Sequence, residues 1–336
     1  MNASTCDWTR TPSPPTFSGS TAKEWRMPDR NPVESGNEPT WFKDAIIYQL
    51  HVKSFFDSNG DGIGDFQGLA QKMDYLQDLG VTAVWLLPFY PSPLRDDGYD
   101  IADYTRVNPS FGTMADFRSF LREAHRRDLK VITELVINHT SDQHEWARRA
   151  RAGELAFQDF YHVFSGRSLP DAFEETMPEI FPETAPGSFT YDEAMDRWVM
   201  TVFNRYQWDL NYANPAVLVE MVDVVLFWAN RGADVLRLDA VAFLWKKLGT
   251  TCQNQREAHL LLQLMKDCCQ VVAPGVLFIA EAIVAPDEIG RYFGEDAVVA
   301  KECEIAYNAT LMALLWDGVA TKNARLLNQG VRNLPA

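Results

Sequence analysis

Two acidic residues, Asp239 and Glu281, occupy positions in the sequence from which their carboxylates could act in the same reaction. Asp239 and Glu281 each follow a short apolar run, and an amphipathic stretch, 257–271, separates the two runs. In a parallel sheet such runs become neighbouring strands, and their C-terminal ends place both carboxylates at the same edge of the sheet. A pair about 5–5.5 Å apart is what retaining glycosidic-bond cleavage needs: one carboxylate attacks the anomeric carbon and the other protonates the leaving oxygen. The alternative is a structural ion pair at a strand end.

Arg237 adds a third charged group to this pair. It stands two residues before Asp239, and strand alternation puts such residues on one face. Its positive charge would keep the Asp239 carboxylate ionised and nucleophilic. Arg237 and the two carboxylates therefore form the candidate catalytic set.

Strand-like and helix-like stretches alternate along the chain and must position these groups. The strand candidates are residues 45–52, 82–88, 130–136, 233–238 and 276–280, and the helix candidates are 68–79, 114–127, 216–231 and 257–271. Alternation predicts parallel βα units, and nearly continuous apolar strands predict burial on both faces. Polar or acidic residues at the ends of several strands are typical of a (β/α)8 TIM barrel. A doubly wound sheet is the alternative, but no Gly-rich phosphate turn follows the first strand candidate.

Four segments can be expected in this α/β chain. Residues 1–40 hold six prolines and no apolar period, which predicts a disordered or extended tail. Residues 41–140 would form the first three barrel strands. The long gap before the next strand predicts a small inserted domain over 141–209. Residues 210–336 would continue the barrel through a sixth strand at 303–307, so we expect about six of eight units, without a C-terminal β-sandwich.

Charge and cysteine usage exclude several classes of partner. The formal net charge is −15, which repels nucleic acid and anionic membrane surfaces. No apolar run approaches the ~20 residues of a membrane helix, and the first 30 positions lack a secretion signal. The five cysteines include no C-x-x-C pair, so we expect free thiols and a cytoplasmic protein. A neutral polar substrate fits this composition.

Five motifs resemble, in order, those of the α-amylase family of glycoside hydrolases and transglycosylases. They are residues 96–99 (DDGY), 136–140 (VINHT), 207–211 (QWDLN), 232–240 (GADVLRLDA) and 278–282 (FIAEA). The resemblance covers 41–336 and implies that Asp239 is the nucleophile, Glu281 the acid/base and Arg237 the partner of the nucleophile. It also implies that His139, Asp96 and Tyr99 line the sugar pocket. Without the motifs, ordinary packing of Tyr99 and a hydrogen-bonded strand-end His139 would be the expected interpretations.

The resemblance divides between two subfamilies. Residues 41–150 resemble trehalose synthase, which interconverts maltose and trehalose, whereas residues from about 155 onward resemble amylosucrase, which moves glucose from sucrose onto an α-glucan. The expected partner is therefore a neutral α-glucosidic sugar: sucrose, maltose or trehalose, or an α-glucan. Amylosucrase-like specificity is favoured because acceptor contacts come largely from the inserted domain and later loops.

A second constellation predicts a metal loop. Oxygen-bearing residues alternate with glycines over 57–65, as in the first half of a calcium loop, although Gly68 stands where an EF-hand has its bidentate glutamate. Exo-acting members of the family carry a similar loop that binds Ca²⁺ or Mg²⁺. The expected ligands are Asp57, Asn59, Asp61, the Ile63 carbonyl and Asp65. The alternative is a solvated, Asx-rich turn.

One expected acid is missing from the sequence. The family's third acid follows a histidine on the seventh strand, and no such motif follows Glu281. Three hypotheses follow: the chain is an N-terminal part of a glucosyl-transferring enzyme, a separate chain completes the site, or the chain is a non-catalytic amylase-like scaffold or binding protein. The retained Arg237, Asp239 and Glu281 argue against the scaffold.

Overall fold

The structure, a computed structural model, describes residues 40–285, 288–294 and 301–332. Its strands are β1 (Ile47–Leu50), β2 (Ala83–Leu86), β3 (Lys130–Val136), β4 (His139–Ser141), β5 (Val163–Phe164), β6 (Phe189–Asp192), β7 (Arg197–Met200), β8 (Gln207–Asp209), β9 (Val235–Asp239), β10 (Leu277–Ala280) and β11 (Ile305–Ala306). Its α-helices are α1 (Val52–Phe55), α2 (Phe66–Gln71), α3 (Met73–Asp78), α4 (Met114–Arg126), α5 (Glu145–Arg151), α6 (Leu155–Gln158), α7 (Ser168–Glu174), α8 (Pro215–Arg231), α9 (Arg256–Val272), α10 (Ala309–Thr321) and α11 (Arg325–Arg332). The tail expected over 1–40 lies outside the described residues, apart from Thr40.

The central element is a parallel sheet of six strands in the order β1-β2-β3-β9-β10-β11. Each strand pairs in parallel with the next one in this order, and α-helices lie between successive strands from β1 to β10. The sheet is the curled part of a barrel with about six of eight βα units, which confirms the expected incomplete TIM barrel. The five strand candidates and the sixth strand all form within two residues of their expected bounds.

The two faces of the sheet bury different apolar sets. Residues such as Val84, Leu236 and Phe278 belong to the main core with the surrounding helices. The alternate residues, including Trp85 and Ile279, form a second cluster on the concave face. Burial on both faces explains the nearly continuous apolar strands.

Local signals set the helix ends. The Asn214 side chain accepts a hydrogen bond from the Ala216 N–H at 3.0 Å, and Pro215 occupies the first position of α8. Gly232 ends that helix in the left-handed region, with φ of 100°. The helix expected over 68–79 is instead two helices, α2 and α3, because Lys72 leaves helical geometry between them.

The insert expected over 141–209 contains more regular structure than its composition indicated. Three short helices, α5 to α7, and an antiparallel sheet in the order β5-β7-β6 lie within it. β4 and β8 pair where the chain leaves and re-enters the barrel region, with His139 opposite Asp209. This pairing anchors the segment directly beside the end of β3.

Candidate active site

The two carboxylates face the same end of the curled sheet. Asp239 is the last residue of β9, Glu281 follows β10, and these strands pair in parallel. Arg237 Nη1 binds Asp239 Oδ1, and Arg237 Nη2 lies 3.8 Å from Glu281 Oε1. One guanidinium therefore contacts both carboxylates. Arg237 and Asp239 are buried, whereas 24% of the Glu281 side chain is exposed, so this carboxyl group can meet an incoming molecule.

The backbone after Asp239 holds Glu281 from the other side. Ala240 adopts a left-handed conformation, with φ of 54°, and its N–H donates a hydrogen bond to Glu281 Oε2 at 2.8 Å. Burial raises the pKa of Glu281 to about 7, and the neighbouring Asp239 charge also raises it. A carboxyl group with this pKa is still substantially protonated near neutrality and can act as a general acid.

The three residues expected in a sugar pocket gather around this pair. Asp96 Oδ2 accepts a hydrogen bond from Gln207 Nε2 at 2.9 Å, and burial raises the pKa of Asp96. His139 Nε2 lies 3.2 Å from the Tyr99 carbonyl oxygen. Burial lowers the pKa of His139, against the opposing charges of Asp239, Asp209 and Asp96. Burial raises the pKa of the Tyr99 hydroxyl, and the Glu134 and Asp239 charges add to that rise. The structure thus brings all six predicted site residues together.

Sequence reasoning assigned no role to Glu134, which lies at the centre of the charge network. The Glu134 carboxylate is fully buried, binds Arg237 through Oε1, and accepts a hydrogen bond from Trp85 Nε1 at 2.8 Å through Oε2. Arg237 Nε donates to the Tyr307 hydroxyl at 3.2 Å. The signal available in the sequence was one acid inside a largely apolar strand, KVITELV. Burial raises the pKa of Glu134, and Arg237 counteracts this effect.

Comparison with known proteins gives the family. The alpha-amylase catalytic-domain model matches residues 49–328. The chain belongs to the alpha-amylase family. It is 43% identical over 285 residues to the trehalose synthase/amylase TreS of Mycolicibacterium smegmatis, covering 84% of this chain and 47% of that protein. It is 42% identical over 276 residues to a trehalose synthase of Thermus thermophilus, covering 82% of this chain and 28% of that protein.

A solved structure shares the fold of this chain. A crystal structure of the trehalulose synthase MutB superposes with a TM-score of 0.74 at 31% identity, covering 83% of this chain and 51% of that one. The chain spans about half the length of the mycobacterial relatives it matches, 47% and 49%. In residues 40–285, 288–294 and 301–332, no helix has the length and apolar character needed to cross a bilayer. Cytoplasmic location and amylosucrase-like specificity stay predictions.

The expected metal loop consists of turns closed by its own side chains. Asp57 accepts hydrogen bonds from the N–H groups of Asn59, Gly60 and Gly62, and Asp61 accepts one from Ile63. Asp65 caps α2, accepting from the Gly68 N–H at 2.6 Å. Across the part of the chain that the structure describes, no three acidic, histidine or cysteine side chains converge as a metal site. The side-chain oxygens therefore serve the turns in this conformation, and metal binding stays a prediction.

Proposed function

We propose that this chain supplies the catalytic pair of an enzyme that transfers or hydrolyses α-glucosyl units with retention of configuration. The observation that carries the proposal is the guanidinium of Arg237 shared by Asp239 and Glu281, at the ends of paired strands. Asp239 and Glu281 play different parts because their surroundings differ. The Asp239 carboxylate is paired with Arg237, whereas Glu281, with its raised pKa, carries a proton near neutrality.

The reaction runs in two displacements. Asp239 Oδ1 is held by Arg237, so Oδ2 attacks the anomeric carbon and forms a glucosyl ester. The bond to the leaving oxygen breaks as Glu281 gives that oxygen its proton. Glu281, now a carboxylate, takes a proton from an acceptor hydroxyl or from water, whose oxygen then displaces Asp239. Two inversions at one carbon leave the α configuration unchanged.

We propose a neutral α-glucosidic disaccharide as substrate, with maltose and trehalose as the first candidates. Two matched relatives are named trehalose synthases, and their similarity extends over more than four fifths of this chain. Sucrose is the second candidate, favoured by the amylosucrase-like motifs and by a structural neighbour, a MutB mutant whose crystal structure contains the substrate sucrose. Asp96, Tyr99 and His139 would contact the glucosyl ring.

The test is turnover by the purified 336-residue chain. Maltose, trehalose, sucrose and p-nitrophenyl α-glucoside are offered separately, and nuclear magnetic resonance follows the anomer released first. We expect an α product and complete loss of turnover in Asp239→Asn, with Lys247→Met, a change at an exposed lysine, as the matched control. A β product, or full turnover by Asp239→Asn, contradicts the proposal. A folded chain without turnover favours an inactive fragment or an amylase-like scaffold.

Two finer properties are separate proposals. We propose that the 57–65 loop takes Ca²⁺ or Mg²⁺ as a structural ion, because carboxylate and amide oxygens alternate along it. We also propose a cytoplasmic location, supported by the cysteine pattern of the sequence. Cell fractionation tests the location, and unfolding in the presence of either ion tests the loop.

A further inference from the structure

A buried ion pair lies directly behind His139. Lys246 Nζ and Asp209 Oδ1 are 2.6 Å apart, and both side chains are fully buried. Asp209 ends β8 and is the strand partner of His139, while Lys246 follows the short turn after β9. Asp209 belongs to the 207–211 motif, and the proposed reaction gives Asp209 itself no role. Burying two charges is costly, so their remaining contacts indicate what the pair does.

The contacts of Lys246 fix how the Asn138 amide is oriented. Lys246 Nζ lies 2.6 Å from Asp209 Oδ1, 2.7 Å from the Phe243 carbonyl oxygen and 3.0 Å from Asn138 Oδ1. An ammonium group has three N–H donors and no acceptor, so all three partners must offer oxygen. Asn138 therefore presents its oxygen to Lys246 and its NH₂ group to the other side.

The orientation of Asn138 in turn determines which nitrogen of His139 is protonated. Asn138 Nδ2 carries two protons and lies 3.0 Å from Asp209 Oδ1 and 3.2 Å from His139 Nδ1. His139 Nδ1 must therefore accept. His139 Nε2 faces the carbonyl oxygen of Tyr99, which can only accept, so this nitrogen carries the proton. The lowered pKa of the buried His139 is consistent with a neutral ring.

We propose that Lys246, acting through Asn138, is a positioning residue that holds His139 as a neutral imidazole with its proton on Nε2. In that state the only N–H of the ring is on Nε2; the Tyr99 carbonyl oxygen accepts it in the sugar-free protein, and a hydroxyl oxygen of the bound glucosyl unit would compete for it. Only this last step rests on the proposed function. The tautomer is a property of the sugar-free protein and can be measured without turnover.

The first experiment measures the tautomer in the wild-type chain. Protein labelled with ¹⁵N-histidine is examined near neutral pH by long-range proton–nitrogen correlation, and the His139 signals are assigned by their loss in His139→Gln. We expect one tautomer, with Nε2 protonated and Nδ1 bare. A proton on Nδ1, or rapid averaging between the two nitrogens, overturns the inference.

Asn138→Asp is the decisive variant because it is nearly isosteric and keeps an acceptor for Lys246. The new carboxylate cannot donate, so His139 Nδ1 should gain a proton, giving the Nδ1–H tautomer or the imidazolium. Lys246→Met should produce a mixture of tautomers, while Lys247→Met, the adjacent exposed lysine, should leave the wild-type spectrum unchanged. A bare Nδ1 retained in Asn138→Asp overturns the inference, even where Lys246→Met fails to fold.

Activity supplies an independent readout. Misplacing a contacting group by about 1 Å can cost on the order of 100-fold in rate, so Asn138→Asp should lower kcat/KM on p-nitrophenyl α-glucoside by about that factor. Lys247→Met should retain the wild-type kcat/KM. An inert wild-type chain with the expected tautomer contradicts the proposed function and supports this inference. Turnover together with a protonated Nδ1 in the wild type supports the proposed function and contradicts this inference.

Discussion

Glu281→Gln should remove a large part of the pH dependence of folding stability. The pKa of Glu281 is raised from 4.5 to about 7, chiefly by burial. Between these values the folded chain holds a proton that the unfolded chain has lost, so the free energy of unfolding falls as pH rises. At 1.36 kcal/mol per pKa unit, the wild type loses about 3 kcal/mol across this interval. Glutamine resembles the protonated acid and keeps an oxygen for the Ala240 N–H.

The assay is urea unfolding of both proteins between pH about 5 and about 8. We expect similar stability at the acid end and an advantage of about 3 kcal/mol for Glu281→Gln at the alkaline end. Glu175→Gln, at an exposed position after α7, should follow the wild type throughout. Parallel pH curves for wild type and Glu281→Gln would refute the reasoning. Turnover by the wild type should likewise decline above pH about 7, because a deprotonated Glu281 cannot protonate the leaving oxygen.

Three further outcomes can be measured by unfolding. Arg237→Met leaves Glu134 buried without its counter-charge and should lower the free energy of unfolding by about 3–5 kcal/mol. Adding Glu134→Gln should restore most of that loss. A double variant as unstable as Arg237→Met alone contradicts the pairing. Gly64→Ala places a Cβ 2.2 Å from a backbone carbonyl oxygen and should cost about 1–3 kcal/mol, whereas Gly166→Ala, in open space, should not. Ca²⁺ at a hundredfold excess over its Kd should stabilise the chain by about 2.7 kcal/mol, and Asp57→Asn should abolish that gain; equal stability in Ca²⁺, Mg²⁺ and chelator argues against the loop site.

Residues at strand ends could be predicted from the sequence, whereas the buried charge contacts could not. Asp239 and Glu281 were identifiable because each follows an apolar run, and parallel strands bring such positions to one edge. The contact between Glu134 and Arg237 depends on the register of β3 against β9, which composition does not fix. Lys246 was harder still, since two adjacent lysines look alike in sequence and only the fold buries one of them.

The secondary structure of the insert was underestimated for a related reason. Its strands are two to four residues long, too short for an alternating apolar pattern to stand out. Aromatic packing supports them instead: Phe164 and Phe189 lie with ring centroids 5.6 Å apart, as an edge-to-face pair across the small sheet. Such contacts join segments distant in sequence and leave no periodic trace.

The pairing of β9 has an evolutionary consequence. Arg237 lies opposite Glu134 on one neighbouring strand and opposite Ile279 on the other. Moving β9 by a single position would turn Arg237 towards the helices and bring an aliphatic side chain into its place. A one-codon insertion or deletion within 235–239 would thus eliminate the charge network and the hydrophobic packing together, so this stretch should tolerate substitutions far better than changes in length.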